Sequence, residues 1–416
     1  MKPNVRRSRA RATYRWNPSK GIAPATLPTI RKTKRPYAPL LTICCRHNAV
    51  MLPNNAYTDA DYLLREARSV FRATWQFAGR ASRLSQPGDA LPTTIGRTPV
   101  LLVRDTDNRI RAFANVCPHR GARLLGEPCS GLSGIICPYH AWSFRLDGTL
   151  RGRPHFHGAD AHDRVDDDDP RPRLWSIRAE VWFDWIFVNL DGNAPALHDV
   201  VAPLTQRLDG YDFERCAYGG ELKFDVPANW KLAHENYLDV LHKFKIHPEL
   251  ERAAPLRTNS SFDWVGDVAL VDHALQEPTE GRGASLPSLP GVSARVQQLG
   301  IAAHIFPNAN FMYWRDQIVL FVCEPLAPDR TREHFLVYFA EEAMGAAHAD
   351  ARQAVMDTWD HLNRQDLEPL RWMQQGRYAD EFDGGSLSPH WDPQIREYLH
   401  KLGEFCDPGT VPLATP

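Results

Sequence analysis

No stretch of the 416 residues approaches the run of about eighteen apolar side chains that a membrane-spanning helix needs, so a helical channel, transporter or membrane anchor is excluded. Cysteine is sparse. The eight, at 44, 45, 117, 129, 137, 216, 323 and 406, are too scattered for a disulfide scaffold, and nothing reads as a secretory signal, which makes a reducing compartment the default. No internal repeat is apparent. Acidic residues are absent from positions 1–50, which carry twelve Lys and Arg, leaving 37 Lys and Arg against 50 Asp and Glu in the remainder. A basic, acid-free head is compatible with a transit peptide, a nucleic-acid arm or spurious upstream translation. Serine is scarce there, and Met51 directly precedes the first globular sequence, so a disordered or spurious extension is expected. The location expected for the protein is cytoplasmic, organellar only if that head is a transit peptide.

What is present has the make-up of an ordinary globular protein, 43% hydrophobic and 24% charged, long enough for two domains of unequal size. The run "TDADYLLREARSVF" predicts a lead-in helix within 51–74. From Trp75 short β-type runs ("WQFAGR", "TPVLLVRD", "RIRAFANV", "AWSFRLDG") alternate with turn signals and predict a small antiparallel domain, core 75–150. "RGRPHFHGADAHDRVDDDDPRPR" reads as a solvated loop, its His155, His157 and His162 lacking the flanking order of a metal site. Strand texture returns at "LWSIRAEVWFDWIFVNLDG". The rest mixes strands with two helices, about Trp230–Lys245 and Ala346–Gln375, an α+β arrangement.

Two constellations carry chemistry. Cys117 and His119 form C-x-H, and Cys137 and His140 form C-x-x-H, each beside a proline that marks a turn. Zinc sites usually group cysteine with cysteine and histidine with histidine. One of each in both halves suits instead a Rieske [2Fe-2S] cluster, two thiolates on one iron and two imidazoles on the other, with a potential raised to roughly −150 to +300 mV. Cys129 has no histidine at either offset and is read as a bystander.

The second lies in "NWKLAHENYLDVLHKFKIHPEL". Asp239 and His242 are three residues apart and share a helix face. His247, five further on, would point about 140° away on a straight helix, but Pro248 biases it out of helical geometry and lets its ring swing back. Two histidines and a carboxylate suit a mononuclear non-haem Fe(II) with open positions. For the carboxylate, Asp357, Asp360, Asp366 and Glu368 all qualify by composition. Asn236 stands one helical turn before Asp239, near enough in spacing to assist the iron or simply to face solvent.

With both motifs in view, the chain resembles the catalytic α subunit of a Rieske-type non-haem iron oxygenase, the aromatic-ring-hydroxylating family that includes quaternary-ammonium monooxygenases. The resemblance runs from about Phe71 to Leu402 and rests on "NVCPHRGARL", "CPYHAWSFRLDG" and "NWKLAHENYLDVLHKFKIHP". It implies a Rieske domain over 75–190 and a helix-grip-like catalytic domain over 191–416. The family's Asp, Gln and Gly spacing falls on Asp366, Gln374 and Gly376, which selects Asp366 as the iron carboxylate. It further implies that Asp239 bridges electron flow to His242 from a cluster histidine of a neighbouring subunit in a homotrimer, with or without a β subunit. A reductase, with or without a ferredoxin, would deliver electrons from NAD(P)H. Leu241 where the family often has Tyr, and Asp184-Trp185 where it often has Gly-Phe, are departures that touch no ligand.

The expected function is hydroxylation or oxidative demethylation of a small organic substrate with O2, an aromatic compound first and a quaternary ammonium compound second. "FMYW", 311–314, could line a ring pocket or a cation-π cage, or be alternating strand residues. A Rieske electron carrier without catalysis and a zinc-bound structural protein are the rivals from other classes. Neither nucleic acid nor membrane is expected as a partner.

Overall fold

The computed structural model describes residues 51–406 except 165–172, 209, 259–261, 275–283, 285 and 293–298; the basic head lies outside the described residues. Three short helices open the fold: α1 (Asn55–Thr58), α2 (Ala60–Arg68) and α3 (Val70–Ala73). Asp59 caps α2, its side chain accepting from the Asp61 amide. Strands β1 (Gln76–Arg80), β2 (Ala90–Ile95), β3 (Thr98–Arg104), β4 (Ile110–Ala114), β9 (Ser176–Trp182) and β10 (Trp185–Asn189) form an antiparallel sheet in the order β1-β10-β9-β4-β3-β2. A smaller sheet, in chain order, comprises β5 (Ile135–Ile136), β6 (Ser143–Phe144), β7 (Leu150–Arg153) and β8 (Asp163–Arg164). Between β6 and β7 the Asp-Gly turn requires its glycine. Gly148 has φ +85°, and a Cβ there would stand 2.5 Å from the Phe113 ring. A compact core that includes Leu101, Val103, Phe113, Phe144 and Leu150 lies beneath these strands.

The larger sheet has seven antiparallel strands: β11 (Cys216–Val226), β12 (Asp263–Val265), β13 (Val268–Ala274), β14 (Leu299–Ile305), β15 (Ala309–Tyr313), β16 (Ile318–Ala327) and β17 (Arg330–Ala340). Their order is β11-β17-β16-β15-β14-β13-β12. Helix α4 (Leu197–Arg207) covers one face; the other faces α5 (Trp230–Leu238), α8 (Ala349–Gly376) and α9 (Pro393–Cys406). Because both faces are covered, Ile318–Cys323 of β16 and Phe335–Ala340 of β17 read as continuous apolar runs. Among the described residues, four long or medium helices therefore stand where the sequence led us to expect two. In α9, Ile395, Tyr398, Leu399 and Leu402 keep helical spacing and are buried, while Pro203 inside α4 masks that helix in the sequence.

Alternation in β15 decides what 311–314 does. Phe311 and Tyr313 are fully buried on the α4 side, and Trp314 packs on Trp359, so of the four only Met312 reaches the cavity described below. The opening helices are locked to α5 by a buried ion pair, Lys231 Nζ to Glu66 Oε1 at 2.6 Å, and by Trp230 Nε1 donating to Glu66 Oε2 at 2.8 Å. Removing one member of such a pair costs about 3–5 kcal/mol.

Candidate metal centres

The two cluster loops leave the small sheets at Cys117 and Cys137. Each cysteine carbonyl accepts a turn bond four residues on, from Gly121 and from Ala141, which folds the chain back over its own sulfur. The sulfurs sink into the apolar core while His119 is exposed and His140 half-buried. Burial raises the Cys117 thiol, opposed by the His119 and Arg120 amides that point at it, while the Cys137 thiol beside it adds to the rise. The His119 and His140 rings lie 4.8 Å apart, and His119 stacks flat on Trp142 at 4.6 Å. Desolvation, His140 and Arg120 together keep His119 below its ordinary pKa, which favours the neutral, ligating form. His140 Nδ1 is buried and has no hydrogen-bond partner among the described residues. Two adjacent thiols and two facing imidazoles, one with an orphaned nitrogen, fit a [2Fe-2S] cluster held by sulfur and nitrogen. Cys129 takes no part. Its backbone exchanges two hydrogen bonds with Ala90, bracing the loop.

The second set is built differently. Asn229 caps α5, its side chain accepting from the Lys231 amide, and the helix stops at Leu238 instead of running to residue 245 as expected. The reason is Asp239, whose Oδ1 accepts from the Leu241 amide at 2.6 Å; this local turn competes with the helical bond and leaves Asp239 extended at ψ 116°. Lys243–Ile246 (α6) resumes for one turn. His247 then leaves the helical region at φ −122°, ψ 68°, and Pro248 begins α7 (Pro248–Ala253), as the pre-proline bias demands. The break does not separate Asp239 from His242. Their Oδ2 and Nδ1 are 3.3 Å apart, an ion-pair distance whose angle falls short of a hydrogen bond.

Of the four acidic candidates on α8, Asp366 alone meets the histidines. Its Oδ1 lies 3.1 Å from His247 Nε2 and 3.7 Å from His242 Nε2. Donors about 2.1 Å from one ion would be spaced by about 3–3.5 Å, so the set fits a single first-row metal. Burial alone would lower His247, but the Asp366 carboxylate raises it above its ordinary value. Asn236 Nδ2 donates to Asp366 Oδ1 at 3.4 Å, so this amide faces the carboxylate and not solvent. Gln374 and Gly376 have structural places. Gln374 ties α8 to the Asn229 amide and to the Tyr57 carbonyl, and Gly376 ends the helix.

Three residues escaped the sequence reading. Gln365 Oε1 accepts from His247 Nδ1 at 2.6 Å and so fixes that ring, while its own amide is held by Glu249 at 2.9 Å. Glu333 and Lys243 line the cavity onto which the triad opens, together with Tyr237, Phe262, Phe321, Phe335 and Trp359. Burial lifts the Glu333 carboxyl to about 7. A signal existed for Glu333. It occupies the inward phase of β17, in register with Phe335 and Val337, where an acid is out of place. Of the two departures, Trp185 is fully buried and donates to the Tyr338 hydroxyl, and Leu241 supplies only its amide to Asp239. His155, Asp160 and His162 do come together, but all are exposed and both imidazole Nδ1 atoms bond backbone amides.

Comparison with known proteins agrees with both halves. Residues 74–163 match the family described as Rieske [2Fe-2S] domain, and residues 213–407 the ring hydroxylating alpha subunit (catalytic domain). The chain is 32% identical over 392 residues to the glycine betaine monooxygenase oxygenase subunit of Pseudomonas aeruginosa (strain UCBPP-PA14), spanning 86% of this chain and 90% of that one. A quaternary ammonium Rieske monooxygenase solved with L-carnitine superposes with a TM-score of 0.68 at 22% identity, over 85% of this chain and 95% of that one. Naphthalene 1,2-dioxygenase from Rhodococcus sp. with indole gives 0.68 at 18%, over 86% and 94%. At these identities the two structures speak for the fold. No helix among the described residues is long and apolar enough to cross a membrane.

Proposed function

The chain belongs to the Rieske non-haem iron oxygenases as a catalytic oxygenase subunit, and from that premise we propose that it oxidises a small methylated ammonium compound. The [2Fe-2S] cluster, when bound, supplies single electrons received from a reductase, and the mononuclear iron supplies O2 activation. Cys117, His119, Cys137 and His140 hold the cluster; His242, His247 and Asp366 hold the iron. The observation that carries this reading is the convergence of those last three side chains, from separate elements, on one point of an aromatic-walled cavity.

Asp239 is the electron-transfer bridge in this reading. Its Oδ2 lies 3.3 Å from His242 Nδ1, close enough to orient the imidazole, whose Nε2 is turned to the Asp366 side. Asn236 steadies the Asp366 oxygen that the two histidines share, and Gln365 does for His247 what Asp239 does for His242. The aromatic walls shed water from the reacting carbon and present ring faces to a methylated cation. That charge preference and the 32% identity to a glycine betaine monooxygenase subunit support putting ammonium substrates ahead of the aromatic compounds first expected. Hydroxylation of an aromatic ring is the second reading, favoured by the same five aromatic side chains.

We assign 75–190 to the Rieske domain and 191–416 to the catalytic domain, and a cytoplasmic location. The assembly we propose is a head-to-tail homotrimer in which the cluster of one subunit faces Asp239 of the next. In support, Ile136, Tyr139 and Phe156 are exposed around the cluster histidines, as are Phe244 and Trp372 near the iron residues. The purified chain, supplied with a generic reductase and NADH, should consume NADH and O2 when betaines are added and less when aromatic acids are. It should contain iron and acid-labile sulfide; zinc in place of iron would sink the oxygenase reading.

A further inference from the structure

A chain of aromatic rings and hydrogen bonds crosses the large sheet from the cavity to the surface. Tyr237 walls the cavity, and its hydroxyl donates to the Phe311 carbonyl at 2.7 Å and to the Ala303 carbonyl at 3.2 Å, both within the sheet. The Phe311 ring lies on the opposite face, 4.9 Å from the Trp185 ring. Trp185 Nε1 donates to the Tyr338 hydroxyl at 3.1 Å, and that hydroxyl donates to Asp184 Oδ2 at 3.0 Å. Trp182, half-buried and 5.3 Å from Trp185, ends the path at the surface.

Packing accounts for the rings but not for the polar atoms on them, since a phenylalanine at 185 would leave no indole N–H to satisfy. Asp184 and Trp185 stand at the tight turn that joins β9 to β10, where Phe183 takes φ +58°, a conformation that strains a bulky residue and favours glycine. The strained residue lays its ring 4.8 Å from Trp185 and 5.3 Å from Tyr338. The tyrosines of this region differ in what can take their proton. Tyr237 donates only to carbonyls, which are too weakly basic to accept one, and the buried hydroxyls of Tyr211 and Tyr313 have no partner among the described residues. Tyr338 instead faces a carboxylate, which Ser82 holds through its amide and its hydroxyl. A tyrosine that gives up an electron must also release its phenolic proton, so an oxidising equivalent drawn from the cavity settles at Tyr338.

We propose that this chain drains oxidising equivalents from the iron cavity when they find no substrate carbon to attack. It rests on the oxygenase reading and adds a protective function to it. One electron passes from Tyr338 through Trp185 and Phe311 to the cavity, and the phenolic proton passes to Asp184 in the same step. The neutral phenoxyl radical is then reduced by way of Trp182 by a soluble thiolate. Asp184 returns the proton, and two thiyl radicals pair as a disulfide. Met312, which lines the cavity, is thereby spared oxidation to the sulfoxide.

The test mixes the holoenzyme, its mononuclear iron ferrous, with hydrogen peroxide and no substrate, which charges the iron without the cluster. Freeze-quenched samples are read by electron paramagnetic resonance, with ring-deuterated tyrosine to assign the signal. A tyrosine radical should form as the iron oxidises and should decay faster when dithiothreitol is present. Tyr338→Phe and Trp185→Phe keep a ring in place, and Asp184→Asn keeps the shape of an acid that can no longer take the proton; each should lower that radical by at least about tenfold. Asp366→Ala should give no radical, and Tyr313→Phe, which removes a hydroxyl with no partner, should leave it unchanged. Peptide mapping after repeated peroxide exposure should show Met312 sulfoxide several-fold higher in Tyr338→Phe and Trp185→Phe than in the wild type. Iron and sulfide content, with the cluster absorption spectrum, confirm that each variant other than Asp366→Ala is loaded. Iron that oxidises without any radical, or a radical indifferent to all three substitutions or to loss of Asp366, overturns the chain while the oxygenase reading stands. Ferrous holoenzyme that peroxide does not oxidise overturns the reading of the triad as an open iron site, and the chain with it.

Discussion

On the assignment proposed above, the cluster loops and the iron triad would each hold a metal, in opposite ways. In the loops the four ligands span 24 positions, Cys117 to His140, and each half is fixed by its own tight turn over a buried sulfur. His119 stays at the surface, stacked on Trp142, with the half-buried His140 ring beside it. In the triad the ligands span 125 positions, His242 to Asp366, and sit at a broken helix, a pre-proline junction and the buried face of a long helix. There the His242 ring has the Asp239 carboxylate beside it in the same chain break, and the His247 ring is held by the Gln365 amide from α8. A site that must shelter chemistry from water goes beneath helices.

The sharpest way to separate the two is to delete one ligand from each. Asp366→Ala should lose the mononuclear iron, keep about two cluster irons with their acid-labile sulfide, and lower turnover by at least about a thousandfold. Cys137→Ser should do the reverse to the metals. Metal and sulfide analysis beside the cluster spectrum reads both, and loss of both centres from either variant would show them to be one folding unit.

Next comes the link between them. Asp239→Asn should retain both metals and yet lower substrate-dependent NADH and O2 use by at least about a hundredfold, because the amide neither carries charge nor fixes the His242 proton. Full activity in that variant would remove the bridging role. A smaller effect is expected of Gln365→Leu, which frees the His247 ring. Iron affinity should weaken by about 10–100-fold, and added ferrous iron should restore turnover. If the iron stays tight, His247 is aimed by its backbone alone. The least effect belongs to Cys129→Ser. Cluster content should be unchanged and thermal stability should shift by no more than about 1 kcal/mol, since Cys129 joins Ala90 through its backbone. Loss of the cluster would make it more than a bystander.

The contrast also explains what could be read in advance. Residues of the cluster loops announce themselves because ligand spacing there is local and each half carries its turn proline. His242 and His247 were legible for a similar reason, Pro248 supplying the bend. Asp366 was one acid among four until the family's spacing chose it, and Gln365 had no signal at all, since its role exists only where α8 crosses His247. The early end of α5 was missed because an aspartate turn outcompeted helical periodicity over a single residue. The run at 311–314 follows the alternating-strand reading, with Phe311 and Tyr313 on the α4 side and Met312 on the cavity side.

Sequence by itself determined the chemistry of the metals, the α+β class and the family, because donor type and short-range spacing are properties of the chain. Only the tertiary structure decided which acid meets the histidines, which rings wall the cavity, and that Glu333 and Lys243 are buried in its lining. Those facts depend on strand register and helix crossing, which are fixed by packing between residues more than a hundred positions apart.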